Sequence, residues 1–153
     1  MKQPILEFCF RISVDVAGGM QELGKTGKGI RRVIPITGGS FEGPNIQGNV
    51  LAGGYDWQLI RSDGVVELEA RYMLQTGDSD LITVVNTGIR HGSQEVMQRL
   101  ANGEEVDPSL YYFRSVPVFE TANPKYAWLM RSVFVANGIR KPEQVLIDVW
   151  RVV

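Results

Sequence analysis

Val65-Val66-Glu67-Leu68-Glu69-Ala70-Arg71-Tyr72-Met73-Leu74-Gln75-Thr76-Gly77-Asp78-Ser79-Asp80-Leu81-Ile82-Thr83-Val84-Val85-Asn86-Thr87 alternates in its first half, turns, and runs on in β-branched residues. Val66, Leu68, Ala70, Tyr72 and Leu74 share one parity, and Glu67, Glu69 and Arg71 share the other. A period of two places these sets on opposite faces of a strand. Gly77-Asp78-Ser79-Asp80 is a turn, so the stretch predicts a hairpin of strands 65–75 and 81–87. Upstream, Ser62-Asp63-Gly64 is a second hairpin turn after strand 55–61, where Tyr55, Trp57 and Leu59 alternate with Asp56 and Gln58.

The same pattern extends in both directions. Leu6, Phe8, Phe10, Ile12 and Val14 alternate with Glu7, Cys9, Arg11 and Ser13, which predicts a strand over 6–14. Further strands are predicted at 30–37, 46–50, 110–121, 126–136 and 145–153. Residues 18–29, with five glycines, and the bend at 38–44 are expected to be loops. Only 94–102 is expected to be helical, with Ser93 as N-cap, Glu95 in the first turn and Gly103 at the end. About nine strands, short turns and one short helix leave no room for a βαβ plan. The expected fold is all-β, an antiparallel up-and-down β-barrel that removes exposed strand edges, with two facing sheets as the alternative. No repeat or linker interrupts it, so residues 1–153 are read as one domain.

Composition narrows the function classes. The 153 residues carry a formal net charge of −1, which argues against nucleic acid as the main partner. A chain of this length buries roughly 70% of its extended-chain surface and needs no metal or disulfide to fold. One Cys and one His, Cys9 and His91, are too few for a protein-only zinc site. No stretch has the apolar length of a membrane helix, and Glu7 and Arg11 interrupt any secretory signal, so the expected location is cytoplasmic. No cofactor is called for.

Several phrases occur together in order: Gly38-Gly39-Ser40-Phe41-Glu42-Gly43-Pro44, Gly48, Gly53-Gly54-Tyr55-Asp56-Trp57, Ala70-Arg71-Tyr72, Tyr112-Phe113-Arg114, Pro117-x-Phe119-Glu120-Thr121 and Tyr126-x-Trp128-Leu129. Over nearly the whole chain they resemble uncharacterised protein family 0311, also catalogued as domain of unknown function 3237. The resemblance implies a small antiparallel barrel and no established activity. The family pattern often places an Asp-Gly turn after the position of Thr76, where this chain has Gly77-Asp78-Ser79-Asp80.

Candidate chemistry gathers on a few side chains. Asp56 beside Trp57 offers a proton acceptor next to a stacking surface; the competing reading sends Trp57 to the core and Asp56 to solvent. Arg114 is a candidate for a ligand carboxylate and Glu120 for an acid or base, although same-face positions six apart lie roughly 20 Å apart on a straight strand. Tyr72 presents a hydroxyl on the apolar face, and Glu42 in the 38–44 bend is a further ligand-binding candidate. Arg90 and His91, read as a loop before the helix, could attract an anion. Gly19 to Thr26 satisfies the eight-residue phosphate-loop pattern, but a strand rather than a helix is expected after it.

The expected function is therefore a barrel that binds a small molecule in an aromatic-lined lumen, with Asp56 and Glu120 as catalytic candidates and Trp57, Tyr72, Arg114 and Glu42 as ligand contacts. Two alternatives remain open. One is a cofactor-independent isomerase, cyclase or dehydratase using the same pocket; the other is a structural protein whose barrel only supports an oligomer interface. A homo-oligomer is expected, a dimer in the simplest case.

Overall fold

The computed structural model describes all 153 residues. Eleven strands form: β1 Leu6–Asp15, β2 Gln21–Thr26, β3 Gly29–Ile36, β4 Gly38–Glu42, β5 Gln47–Val50, β6 Gly54–Ile60, β7 Val66–Thr76, β8 Leu81–Gly92, β9 Tyr111–Thr121, β10 Phe134–Arg140 and β11 Gln144–Val152. Helix α1 spans Gln94–Ala101, and 3-10 turns occupy Pro108–Leu110 and Pro124–Met130. Every strand pairing is antiparallel. In spatial order β7-β5-β4-β1-β11-β10-β9-β8 close on themselves through the β7–β8 ladder, which gives an eight-strand barrel. The edge of β7 is shared: Leu74–Thr76 pair with β5, and Val66–Arg71 pair with β6. β6, β3 and β2 then extend one rim of the barrel beyond the ring.

The closed barrel matches the expected class, and the strand boundaries differ in instructive places. The glycine-rich stretch 18–29 contains β2 and the start of β3, so Gly19–Thr26 leads into a hairpin and not into a phosphate-binding helix. The 38–44 bend contains β4, whose glycines allow close approach: a Cβ at Gly39 would lie 2.0 Å from the Ser13 carbonyl oxygen. Residues 126–130 are 3-10 turn, and the strand expected at 126–136 begins only at Phe134. The Asn123 side chain, accepting from the Lys125 N–H, starts that turn, and Pro124 occupies its first position. α1 is capped as expected, with Ser93 Oγ accepting from Val96 N–H at 3.1 Å. No helix is long and apolar enough to cross a membrane.

Alternation fills the interior in two layers. On β9 the odd residues Tyr111, Phe113, Ser115, Phe119 and Thr121 are buried, and the even ones are exposed. At one end Phe10, Phe41, Phe119 and Phe134 meet edge-on, with ring centroids 5.3–6.1 Å apart along the chain Phe41–Phe10–Phe119–Phe134. Each such pair adds about 0.5–1.5 kcal/mol to the burial of its rings. Leu74, Ile82, Leu129 and Val149 complete this plug. Toward the other end the same strands change character. On β8, Ile82 and Val84 give way to Asn86, Gly88 and Arg90; on β9, Phe119 gives way to Ser115. The plug supplies the core, and the polar layer is left to do something else.

Candidate functional site

The polar layer surrounds an interior chamber of about 50 Å³. Its walls are apolar on β1, β3 and β11, where Val14, Ile36, Val145 and Ile147 face inward. Its polar side chains come from four strands: Asp56 and Gln58 on β6, Tyr72 on β7, Asn86 and Arg90 on β8, and Ser115 on β9. Arg140, at the end of β10, reaches the same space. Parity explains the gathering. Asp56 pairs with Ala70 across β6–β7, Ala70 with Asn86 across β7–β8, and Gly88 with Ser115 across β8–β9, so one inward row runs around the wall. Val16, Ile34, Arg90 and Arg140 line both this chamber and an adjoining vestibule of about 940 Å³, bordered by Arg32, Met97, Leu100 and Pro142.

Five buried side-chain atoms in the whole chain have no hydrogen-bond partner: Asp56 Oδ1, Tyr72 Oη, Asn86 Oδ1, Arg90 Nε and Ser115 Oγ. All five belong to residues lining this chamber. A buried polar group without a partner costs about 1–3 kcal/mol, and native folds leave few of them. All five face the same space, so they are clustered and not scattered through the core.

The charges are arranged with the same economy. Arg32 Nε donates to Gln58 Oε1 at 2.7 Å, and Gln58 Nε2 donates to Asp56 Oδ2 at 2.8 Å. This relay fixes one carboxylate oxygen and leaves the other facing the chamber. None of the chain's ion pairs includes Asp56, Arg32, Arg90 or Arg140. Burial pushes the Asp56 carboxyl above its ordinary value, opposed by the Gln58 hydrogen bond and by Arg90, Arg32 and Arg140. Burial lowers Arg90 to about 10, helped by repulsion from Arg140 and Arg32. Its guanidinium carbon lies 5.4 Å from the centre of the Phe113 ring, which covers it without neutralising it. The Tyr72 hydroxyl is raised by burial and by the nearby Asp56 charge.

Of the residues singled out in the sequence, the structure brings Asp56, Tyr72 and Arg90 together in the chamber and leaves the others outside it. Trp57 is 44% exposed on the outer face of β6, so Asp56 turns inward and Trp57 outward, the reverse of the competing reading. Arg114 is on the outer face of β9, over the Tyr112 ring at 5.4 Å. Glu120 is exposed on the same face and borders an outer groove with Arg71 and Val118. Glu42 is exposed at the end of β4. The structure therefore separates Arg114, Glu120, Trp57 and Glu42 from the Asp56 chamber. His91 is on a strand, stacked on Tyr112 at 5.0 Å between ring centres, not in a loop.

Gln58, Asn86, Ser115 and Arg140 are the members that sequence reading passes over, and Arg90, read there as an anion-attracting loop residue, is instead a buried strand residue. The signal was present for Asn86 and Arg90. They continue the inward parity of Ile82 and Val84, but Thr87-Gly88 reads as a strand end. In the barrel Gly88 is an ordinary ladder position where β9 comes close, and a Cβ there would lie 2.3 Å from the Arg114 carbonyl oxygen.

This is an antiparallel β-barrel stoppered by aromatics at one end, with a charged chamber at the other. The chain belongs to the family described as protein of unknown function DUF3237, whose model matches residues 4–152. A family member from Rhodopseudomonas palustris strain TIE-1 is 44% identical over 151 residues, covering 97% of this chain and 98% of its own. The crystal structure of a β-barrel-like protein from Acinetobacter baumannii AYE is similar over 100% of this chain and 98% of its own, at 42% identity and a TM-score of 0.88. The crystal structure of an enzyme from Penicillium herquei shares the fold at 22% identity, with a TM-score of 0.73 over 100% of this chain and 97% of its own.

Proposed function

We propose that this barrel binds a small organic molecule in the chamber between β6, β7, β8 and β9. The observation that carries the reading is the convergence of all five partnerless buried polar atoms on that one space. Binding sites are concave and mostly apolar with a few convergent polar groups, and this chamber has that composition. At about 10–15 Å³ per water position, its 50 Å³ takes roughly three to five such positions. A ligand thus places a small polar head inside and any larger body in the vestibule.

The test is crystallographic. Crystals of the wild-type chain and of Ser115→Ala are soaked in a cocktail of small polar fragments. Fragments seated between Asp56, Tyr72 and Arg90 in the wild type, with reduced occupancy in the variant, support the reading. Fragments found only on outer grooves, with the chamber inaccessible, defeat it.

One observation favours a second reading, a cofactor-independent isomerase, cyclase or dehydratase. Asp56 is a buried carboxyl whose pKa is raised by burial and which has one free oxygen, the condition of a proton carrier. Arg90 would stabilise an oxyanion as it forms. Incubation with a metabolite pool tests this: turnover by the wild type that is lost in Asp56→Asn supports it. Turnover that survives the substitution removes Asp56 from the chemistry.

A further inference from the structure

The unpartnered atoms specify more than a cavity. Arg90 Nε offers only a donor, and Asn86 Oδ1 is only an acceptor. Asp56 Oδ1 is an acceptor when ionised, whereas the Tyr72 and Ser115 hydroxyls serve either way. Three guanidiniums, Arg32, Arg90 and Arg140, act on Asp56, while Glu22, opposite Arg32 on β2, acts on Arg32 alone, so the chamber side keeps an excess of positive charge centred on Arg90 and Arg140. No ion pair includes any of the three arginines. A neutral ligand leaves that excess uncompensated. A simple anion without a hydroxyl leaves the acceptors Asn86 Oδ1 and Asp56 Oδ1 without a donor.

We infer that the chamber recognises a small hydroxylated oxyanion, a 2-hydroxycarboxylate either free or as the head of a larger molecule, with the anionic oxygens on Arg90 and the hydroxyl donating to Asn86 or Asp56. The inference rests on the binding reading above and adds the ligand class. The Tyr72 and Ser115 hydroxyls turn to donate to the anion, which converts orphaned groups into charge-assisted hydrogen bonds. Arg90 is suited to this because a guanidinium stays charged when buried and offers its donors in a fixed fork. Its ring cover by Phe113 excludes water from one side and leaves Nε free for the ligand. Gln58 holds Asp56 Oδ2, so the carboxylate cannot swing to pair with Arg90 and close the site on itself without breaking that bond. The head must be small, because the space inside the neck is about 50 Å³.

The experiment is a nuclear magnetic resonance titration of the isotope-labelled chain with four matched probes: glycolate, acetate, glycolamide and ethylene glycol. Glycolate should shift the amides of Asn86, Arg90 and Ser115 saturably, at least about tenfold more tightly than acetate, which lacks the hydroxyl, or glycolamide, which lacks the charge. Arg90→Met should remove that preference, and Ser115→Ala, which retains the charge, should weaken glycolate while keeping it ahead of glycolamide. If glycolamide or ethylene glycol binds as well as glycolate, the anion class is wrong and the binding reading survives. If acetate matches glycolate, the hydroxyl requirement is wrong. If none of the four moves the chamber amides while a fragment of another class does, the ligand class falls alone; if no fragment enters, both readings fall. The wild-type comparison decides these outcomes even if Arg90→Met does not fold.

Discussion

Tyr72→Phe is the substitution in which structure and function pull furthest apart. A buried tyrosine whose hydroxyl is hydrogen-bonded loses about 0.5–1.5 kcal/mol of stability when the oxygen is removed. The Tyr72 ring is buried in the hydrophobic core, but its hydroxyl is shielded from solvent and finds no partner in the protein. Deleting it removes a desolvation penalty of about 1–3 kcal/mol and sacrifices no internal hydrogen bond. Water admitted to the chamber returns part of that penalty, and a few dispersion contacts go with the oxygen, so the expected change is a gain of about 0–2 kcal/mol. For a chain of this size each kcal/mol moves Tm by about 2–4 °C, which places the variant between parity and roughly 8 °C above the wild type. Differential scanning calorimetry and urea melts at pH 7 measure it. A fall of 3 °C or more would show that the hydroxyl holds the barrel together, and the case for a prepared ligand surface would lose one of its five members. In the same variant, glycolate binding should weaken.

Other substitutions probe other links. Burial keeps Asp56 protonated to higher pH in the folded chain than in the unfolded one. Its contribution therefore favours folding in acid and declines as pH rises from about 3.9, the unfolded value, through the raised folded value. Asp56→Asn should flatten that decline and leave the chain at least as stable as wild type at pH 7, as read from urea midpoints across pH 4–7.5; a steeper decline in the variant contradicts the sign. Gly138→Ala would set a Cβ 2.6–2.7 Å from three atoms of the Phe113 ring, and overpacking of this kind costs about 1–3 kcal/mol, measurable as a lower urea midpoint. Ser93→Ala removes the α1 cap and should cost about 1 kcal/mol, with faster amide exchange at Val96 as the local signature. Trp57, Met73, Ile89, Tyr112, Val116 and Val118 are exposed on the outer faces of β6 to β9, interspersed with Glu69, Arg71 and Arg114, and this number of exposed apolar side chains on one face predicts self-association. Gel filtration should give a mass above the 17.1 kDa of one chain, and Val118→Lys should lower it; elution of the wild type as a monomer at high concentration rejects the expectation.

The barrel was legible because strand alternation is a local signal that survives in single segments. β1, β7, β9 and β11 show it plainly, and each predicted span overlaps the observed one. What sequence could not supply was register. Asp56, Asn86 and Ser115 become neighbours only through three successive ladders, and no local pattern announces those offsets. The 3-10 turn at Pro124–Met130 was missed for a related reason. Tyr126, Trp128 and Leu129 are apolar enough to look like strand, and Pro124 with the Asn123 cap was the clue to the turn. Arg114 and Glu120 attracted attention because charge stood out among aromatics. Strict alternation with the buried Phe113 and Phe119 already assigned them to the outside. Arg90 was noticed as an anion candidate but assigned to a loop, because a glycine two residues earlier imitated the end of its strand.

The aromatic stopper has a kinetic corollary. With Phe10, Phe41, Phe119 and Phe134 filling the far end, the side shared with the vestibule, beside Arg90 and Arg140, is the approach left to a guest. Whatever enters must back out along its own route, and a successor has to wait for that departure. A blind alley of this kind favours one guest at a time, and makes the gatepost arginines the natural determinants of how long each guest stays.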